Sequence, residues 1–386
     1  MSPAPDRSAS IRNPGLVGHI VHCASYGGPY SGSFVPMLAG AARAARDRGY
    51  ETTICFSEIA RNRPWLDELS DLADIRFITG TRTLDVVREL KSIVDRTGRP
   101  PTVLHTQFGQ FDVPVALLGI QRRRTAVVWH AQGESQRKVR LRGKVYGTVF
   151  SRIVDAFLCV SPEVYEEARA RRFPPAKLHL FPNAIDLHRF TPITPDERSV
   201  ARRQLGQSSS ASVVLHLGWD WERKGGDLLL AAADLLVSEP DLAFFTVVGE
   251  GVEGEQFEYH PNVRRLAPHG AVNELYAAAD IFLNCSRSEG MPFALLEALA
   301  RGLLVVATDL PVQRELLDGL PGARAVAPDP IAISGAIREL LALTTEQRAA
   351  HAMAARARVA ATYALDVWAQ RLVDLYDEVL TGASKS

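Results

Sequence analysis

The chain has 386 residues, 46% of them hydrophobic and 23% charged, and its 44 Lys and Arg balance 44 Asp and Glu. This is ordinary globular composition at a length that favours two domains over one. No apolar run approaches the roughly 18 residues of a membrane span, and a neutral chain lacks the dominant basic field of a nucleic-acid binder.

The opening stretch, MSPAPDRSASIRNPG, is rich in Ser, Pro and Ala and has no apolar core. Residues 1–12 are expected to be a disordered lead-in rather than a signal peptide, which points to a cytoplasmic protein. A strand is predicted over 16–24, followed by the Gly-rich loop SYGGPYSGS (25–33) and a helix that ends at Gly49. Further strands are predicted at 51–56, 102–108, 126–132 and 156–161, with helices between them. The rhythm restarts after residue 210. Strands are predicted at 212–219, 243–251, 263–268, 280–286 and 302–310, and helices near 225–237, 273–279, 292–301 and 331–342. FPNAIDLHRFTPITPDERS (181–199) reads as an interdomain linker, and an amphipathic helix near 364–381 closes the chain. The reading is therefore α/β with two doubly wound domains, over 13–190 and 191–363. Residues 364–386 are expected to form a C-terminal helix packing back on the first domain. Ligands of such folds lie outside the carboxyl ends of the strands, so a site is expected in the cleft between domains.

Cys23, Cys55, Cys159 and Cys285 sit in or beside apolar stretches with no metal or disulfide spacing, and read as buried thiols. The charge is unevenly spread. Residues 1–190 hold 27 Lys and Arg against 18 Asp and Glu, and residues 191–386 hold 17 against 26. A basic first half fits an anionic partner there, although solvated surfaces also drift in charge.

Two segments carry chemistry. In SRSEGMPFALLEALARG (286–302), Glu289 follows a strand and Pro292 is placed as the first helical residue. Free N–H groups at that helix start suit a phosphate or sugar hydroxyls, and Glu297 is within reach of a neighbouring ligand group. Read separately, Glu289 is a plain loop carboxylate and Glu297 a solvated face. In LGWDWERKGGDLLLAAADLL (217–236), Arg223 and Lys224 stand beside Gly225 and Gly226 at a helix start, an arrangement suited to a diphosphate or, more plainly, a solvated charge pair.

Together these segments resemble the retaining transferases of GT-B architecture, two Rossmann-like domains across a cleft, numbered glycosyltransferase family 4. The resemblance covers nearly the whole chain. It rests on the E-x7-E pair Glu289 and Glu297 in EGMPFALLE, on the K-G-x-D element from Lys224 to Asp227, and on PNAIDLHRFTP (182–192), VVGEG (247–251), ELYAAADIFLNCS (274–286) and the paired Gly27 and Gly28. It implies that Lys224 binds the donor phosphates, with Gly28 letting the N-terminal loop approach them. Glu297 would hold the ribose, and Glu289 would sit by the ring hydroxyls of the transferred sugar. Backbone groups at Gly290, Met291, Pro292 and Phe293 would contact sugar and phosphate. Gly270, in the loop 267–272, would frame the base, and His130 in WHAQG would line the sugar pocket, acting with Glu289 in catalysis. The implied reaction moves a hexose-type sugar from a nucleotide diphosphate sugar, UDP first, to a hydroxyl with retention. The acceptor classes are a lipid-linked saccharide, a cyclitol or a natural-product aglycone.

Trp219 stands where the family often has a phosphate-binding arginine, and Arg223 is the candidate substitute; Ala184 replaces the usual hinge glycine. GEGVEG (249–254) fits a dinucleotide fingerprint, but the acid some 20 residues on, Glu274, heads a helix, so an NAD role is set aside. No D-x-D triplet or metal-spaced histidine pair occurs, so turnover is expected to need no metal and no cofactor. The basic run from Arg137 to Lys144 is either a solvated face or a contact for an anionic acceptor or membrane surface. Rival functions are a nucleotide-sugar epimerase or hydrolase of this architecture, and a non-catalytic sugar-nucleotide binder.

Overall fold

The computed structural model describes residues 17–97, 102–122, 124–133, 141–249, 260–268, 270 and 272–383. The lead-in 1–12, Arg137–Arg140 of the basic run, residues 250–254 of GEGVEG and positions 269 and 271 lie outside the described residues.

Two all-parallel sheets form the frame. The first contains β1 Gly18–Ala24, β2 Tyr50–Ser57, β3 Asp74–Ile78, β4 Thr102–Gln107, β5 Thr125–Ala131, β6 Ala156–Cys159 and β7 Leu178–Leu180, in the order β3-β2-β1-β4-β5-β6-β7. The second contains β8 Ser212–Gly218, β9 Leu242–Val248, β10 Val263–Leu266, β11 Ile281–Asn284, β12 Leu304–Thr308 and β13 Ala323–Val326, in the order β10-β9-β8-β11-β12-β13. Parallel strands need both faces covered, and β1 and β4 are buried along their whole lengths. Side chains of β1 alternate between two cores: Val21 and Cys23 enter one, Ile20 and Ala24 the other. Both sheets reverse strand order once, between β1 and β4 and between β8 and β11. Those two switch points open a crevice at the carboxyl ends of the strands.

The last helix, Leu365–Ala383, lies against the first sheet, with Leu365, Trp368, Leu372, Val373 and Tyr376 buried among Ile20, Val35 and Leu38. Its start is pinned by Ile185, which accepts from the Leu365 N–H and donates to the Tyr363 carbonyl, both at 3.0 Å. Its exposed side holds Arg48 through Asp374 at 2.6 Å. All four cysteines are buried and free, and Cys23 and Cys55 face each other across β1 and β2. Among the described residues no helix is long and apolar enough to cross a membrane.

Candidate active site

The second switch point gathers the two chemical segments. After β8 the chain turns through Trp219 and Arg223 to Lys224, then enters the helix Gly226–Asp234 through Gly225 at φ +69°. A Cβ on Gly225 would collide with the Cys285 carbonyl, so only glycine fits this tight approach to the neighbouring strand end. The loop after β11 delivers Glu289 to the same place. Lys224 Nζ donates to Glu289 Oε1 at 2.5 Å, and Ser286 Oγ donates to that oxygen at 2.6 Å. Arg223 donates through Nε to Asp220 Oδ2 at 2.8 Å and through Nη1 to the Ser288 carbonyl at 3.2 Å, with Glu289 Oε2 at 3.6 Å. Lys224 is only 8% exposed, so it is a buried, paired lysine rather than a solvated one.

The helix beside Glu289 begins at Phe293, with Pro292 capping it in an extended conformation instead of forming its first turn. Pro292 carries no N–H, so Gly290, Met291 and Phe293 supply the backbone donors of this corner. Glu297 lies on the next turn and is not a solvated face. It is 5% exposed, accepting from Ser33 Oγ at 2.5 Å and from the Tyr276 hydroxyl at 2.7 Å. Desolvation raises the pKa of its carboxyl, against the opposing pull of those two hydroxyls.

Ser33 belongs to the Gly-rich loop of the first domain, so this bond crosses the cleft. Other crossings join it. The Tyr30 hydroxyl donates to the Pro268 carbonyl at 2.6 Å, and Tyr30 also packs on Gly270. Asn183 Nδ2 donates to the Met291 carbonyl at 3.3 Å. The Gln132 carbonyl and Gly133 sit where a Cβ on Gly290 would be. Gly28 is held in the same loop by Trp65, whose Nε1–H donates to its carbonyl at 2.9 Å, and a Cβ on Gly28 would press the Tyr26 hydroxyl at 2.9 Å.

His130 is placed differently from the other candidates. Strand alternation sends Trp129 into one core and turns His130 toward the last helix, where it is 1% exposed with its ring against His105 and Trp368. Burial lowers its pKa to about 3, the Phe181 backbone opposing, so the ring is neutral. It packs behind the strand end from which Gln132 and Gly133 extend and does not itself open on the cleft. The structure thus brings together Lys224, Arg223, Glu289, Gly290, Met291, Pro292 and Phe293, with Glu297, Gly28 and Gly270 around them. Ser33, Tyr276 and Ser286 were not singled out by the sequence reading. Ser33 lay in a recognised loop, but nothing in its spacing tied it to Glu297. Among the described residues no group of three or more His, Cys, Asp or Glu is placed to hold a metal ion.

A family model described as Glycosyltransferase Family 4 matches residues 37–189, and one described as Glycosyl transferases group 1 matches residues 211–343. They take in the two doubly wound halves in turn, about three quarters of the chain together. The chain belongs to the glycosyltransferases of GT-B fold related to family 4. It is 31% identical over 223 residues to a D-inositol 3-phosphate glycosyltransferase of Corynebacterium urealyticum, covering 53% of this chain and 52% of that one. It is 29% identical over 214 residues to a GDP-mannose-dependent monoacylated alpha-(1-6)-phosphatidylinositol monomannoside mannosyltransferase of Corynebacterium glutamicum, covering 50% and 54%. The chain thus spans about half the length of these curated relatives. Among solved structures, a glycosyltransferase from Rickettsia africae superposes with a TM-score of 0.80 at 16% identity, over 94% of this chain and 98% of that one. Anabaena HepE in complex with UDP and glucose gives 0.78 at 17% identity, over 94% and 100%. At such identities these two likenesses concern the fold.

Proposed function

We propose that this chain moves a hexose-type sugar from a nucleotide diphosphate donor, UDP first among the nucleotides, onto an acceptor hydroxyl with retention and without a metal. The observation that carries the reading is the Lys224–Glu289 pair at the β8/β11 switch point, beside the start of the helix whose Glu297 meets Ser33 of the Gly-rich loop. Departure of the sugar leaves negative charge on the diphosphate, which Lys224, Arg223 and the N–H groups of Gly290, Met291 and Phe293 stabilise. As Lys224 turns to phosphate, Glu289 is released toward the ring hydroxyls and the cation-like anomeric carbon. Glu297 takes the ribose hydroxyls in place of Ser33, and Gly270 flanks the base. The bond from the anomeric carbon to the diphosphate oxygen breaks as the bond to the acceptor oxygen forms on the same face. The acceptor proton passes to the departing phosphate. Closure of the two domains excludes water. His130 supports the Gln132–Gly133 corner from behind.

The acceptor is assigned to the first domain, with the basic run that ends at Lys144 on its rim. Support comes from the charge excess of that half and from the anionic acceptors in the relatives' names. The work of the protein is placed at the cytoplasmic face of a membrane or in the cytoplasm itself. The test is a panel of nucleotide sugars and acceptors, with the product's anomer read by NMR and each reaction repeated in EDTA. A retained anomer at undiminished rate is expected. An inverted product, or turnover lost in EDTA and restored by magnesium, overturns the reading. Full-rate nucleotide release without any acceptor marks a hydrolase instead.

A further inference from the structure

Trp219 is a large aromatic side chain left in the open, 61% exposed, at the first position after β8. Its backbone is fixed from below, because its carbonyl lies where a Cβ on Gly249, at the end of β9, would be. Two cations stand over its ring: the Arg223 Cζ is 5.1 Å from the ring centroid and Lys224 Nζ is 6.0 Å away. Arg223 is further held at its edge by Asp220 and by the Ser288 carbonyl, while its Nη2 has no hydrogen-bond partner among the described residues. Arg223 and Lys224 are balanced by Asp220 and Glu289, so the cluster by itself is neutral. A diphosphate entering it must draw Lys224 away from Glu289, whereas Arg223 can meet it through the free Nη2 while Nε stays on Asp220. An indole face holds a guanidinium through its quadrupole and leaves the in-plane N–H groups free for phosphate oxygens.

We propose that Trp219 is a positioning residue for donor binding: its indole holds Arg223 as the second cation, beside Lys224, for the diphosphate of the nucleotide. The inference rests on the donor site proposed above. Arg223 and Trp219 then act as one unit, with the ring setting the plane of the guanidinium and Asp220 its rotation. The nucleoside makes no use of the ring.

The test is calorimetric titration of UDP, GDP and ADP, and of uridine as a phosphate-free probe, into wild type, Trp219→Ala, Trp219→Phe, Arg223→Ala, the Trp219→Ala/Arg223→Ala pair and Lys224→Ala. Trp219→Ala is expected to weaken the preferred diphosphate by about five- to twentyfold, because the guanidinium then has neither an aromatic face to rest on nor a fixed plane. Phenylalanine should restore most of it. The double variant should bind no more weakly than Arg223→Ala alone. Uridine should not distinguish wild type from Trp219→Ala. Additive losses overturn the proposal, as does an equal loss for UDP and uridine, which would place the ring on the base. If Lys224→Ala weakens the diphosphate while Trp219→Ala does not, the inference fails and the donor site stands. If no variant, Lys224→Ala included, changes any diphosphate affinity, the donor site fails and the inference with it.

Discussion

Glu289 and Glu297 are carboxylates near the start of one helix, and both are shielded from water, yet their partners differ in kind. Glu289 faces a lysine and an arginine; Glu297 is hydrogen-bonded by two hydroxyls and feels Arg189 only through its charge, and burial pushes its carboxyl's pKa upward. A charge balanced by movable cations suits a group whose work begins when the ligand arrives. A carboxylate that keeps the Tyr276 hydroxyl and exchanges the Ser33 hydroxyl for a ribose hydroxyl suits a contact that is the same in ground and transition states. Glu289→Gln is therefore expected to lower kcat by about 100-fold or more, since a neutral amide no longer supports a cation-like carbon. It should leave nucleotide affinity intact or slightly raised, because Lys224 is freed. Glu297→Gln should act mainly on the donor KM, as a ribose contact is made equally in ground and transition states. Steady-state kinetics with nucleotide titrations separate the two. Lost nucleotide affinity with intact turnover in Glu289→Gln would show the roles to be reversed.

At the scale of elements, each strand predicted from the sequence is present within a few residues, because central parallel strands are continuous apolar runs bounded by turns. The three strands the pattern missed, β3, β7 and β13, are all sheet edges. There one side is open, and sequences such as DIRFI and ARAV mix charged and apolar residues. The Glu289 helix and the Lys224 loop were legible because their residues are contiguous. Ser33 and Tyr276 were not, since only the folded cleft brings them to Glu297. The layer under the last helix was hidden for the same reason. His22 and His105 are register partners on β1 and β4, His130 is one strand further, and the Tyr376 hydroxyl meets His105 Nδ1 at 2.6 Å. Burial lowers His22 to about 4 and His130 to about 3, and His105 well below its ordinary value. The unfolded chain therefore binds more protons than the native one between about pH 6.5 and 4, so stability falls as pH drops through that window. Asp112, raised by burial to about 6, binds its proton in the native state and offsets part of the loss. Urea midpoints should decline from pH 7 to pH 5, on the order of 1 kcal/mol per pH unit for each such histidine. His22→Gln should flatten the slope. A wild-type profile that is flat over that range would contradict the account.

Across the whole molecule, the halves carry opposite net charge and meet through Ser33 with Glu297, Tyr30 with Pro268 and Asn183 with Met291. None of these bonds reports whether the meeting matters for turnover, since each involves a side chain that can also serve the ligand. Gly290 separates the two questions. Its backbone is outside the left-handed region, so alanine is acceptable within its own domain. The atoms a Cβ would strike are the Gln132 carbonyl and Gly133, both from the other side of the cleft. Gly290→Ala therefore leaves the nucleotide's own domain intact and props the cleft open. Nucleotide affinity should stay within about threefold, because its principal contacts lie on the second domain. The turnover number should fall about tenfold or more, as reacting groups from the two domains lose their alignment and water enters. Small-angle scattering with nucleotide bound should give a larger radius of gyration than wild type. An unchanged kcat with an unchanged radius would mean that Gln132 and Gly133 yield freely, and that closure at this corner has no part in the reaction.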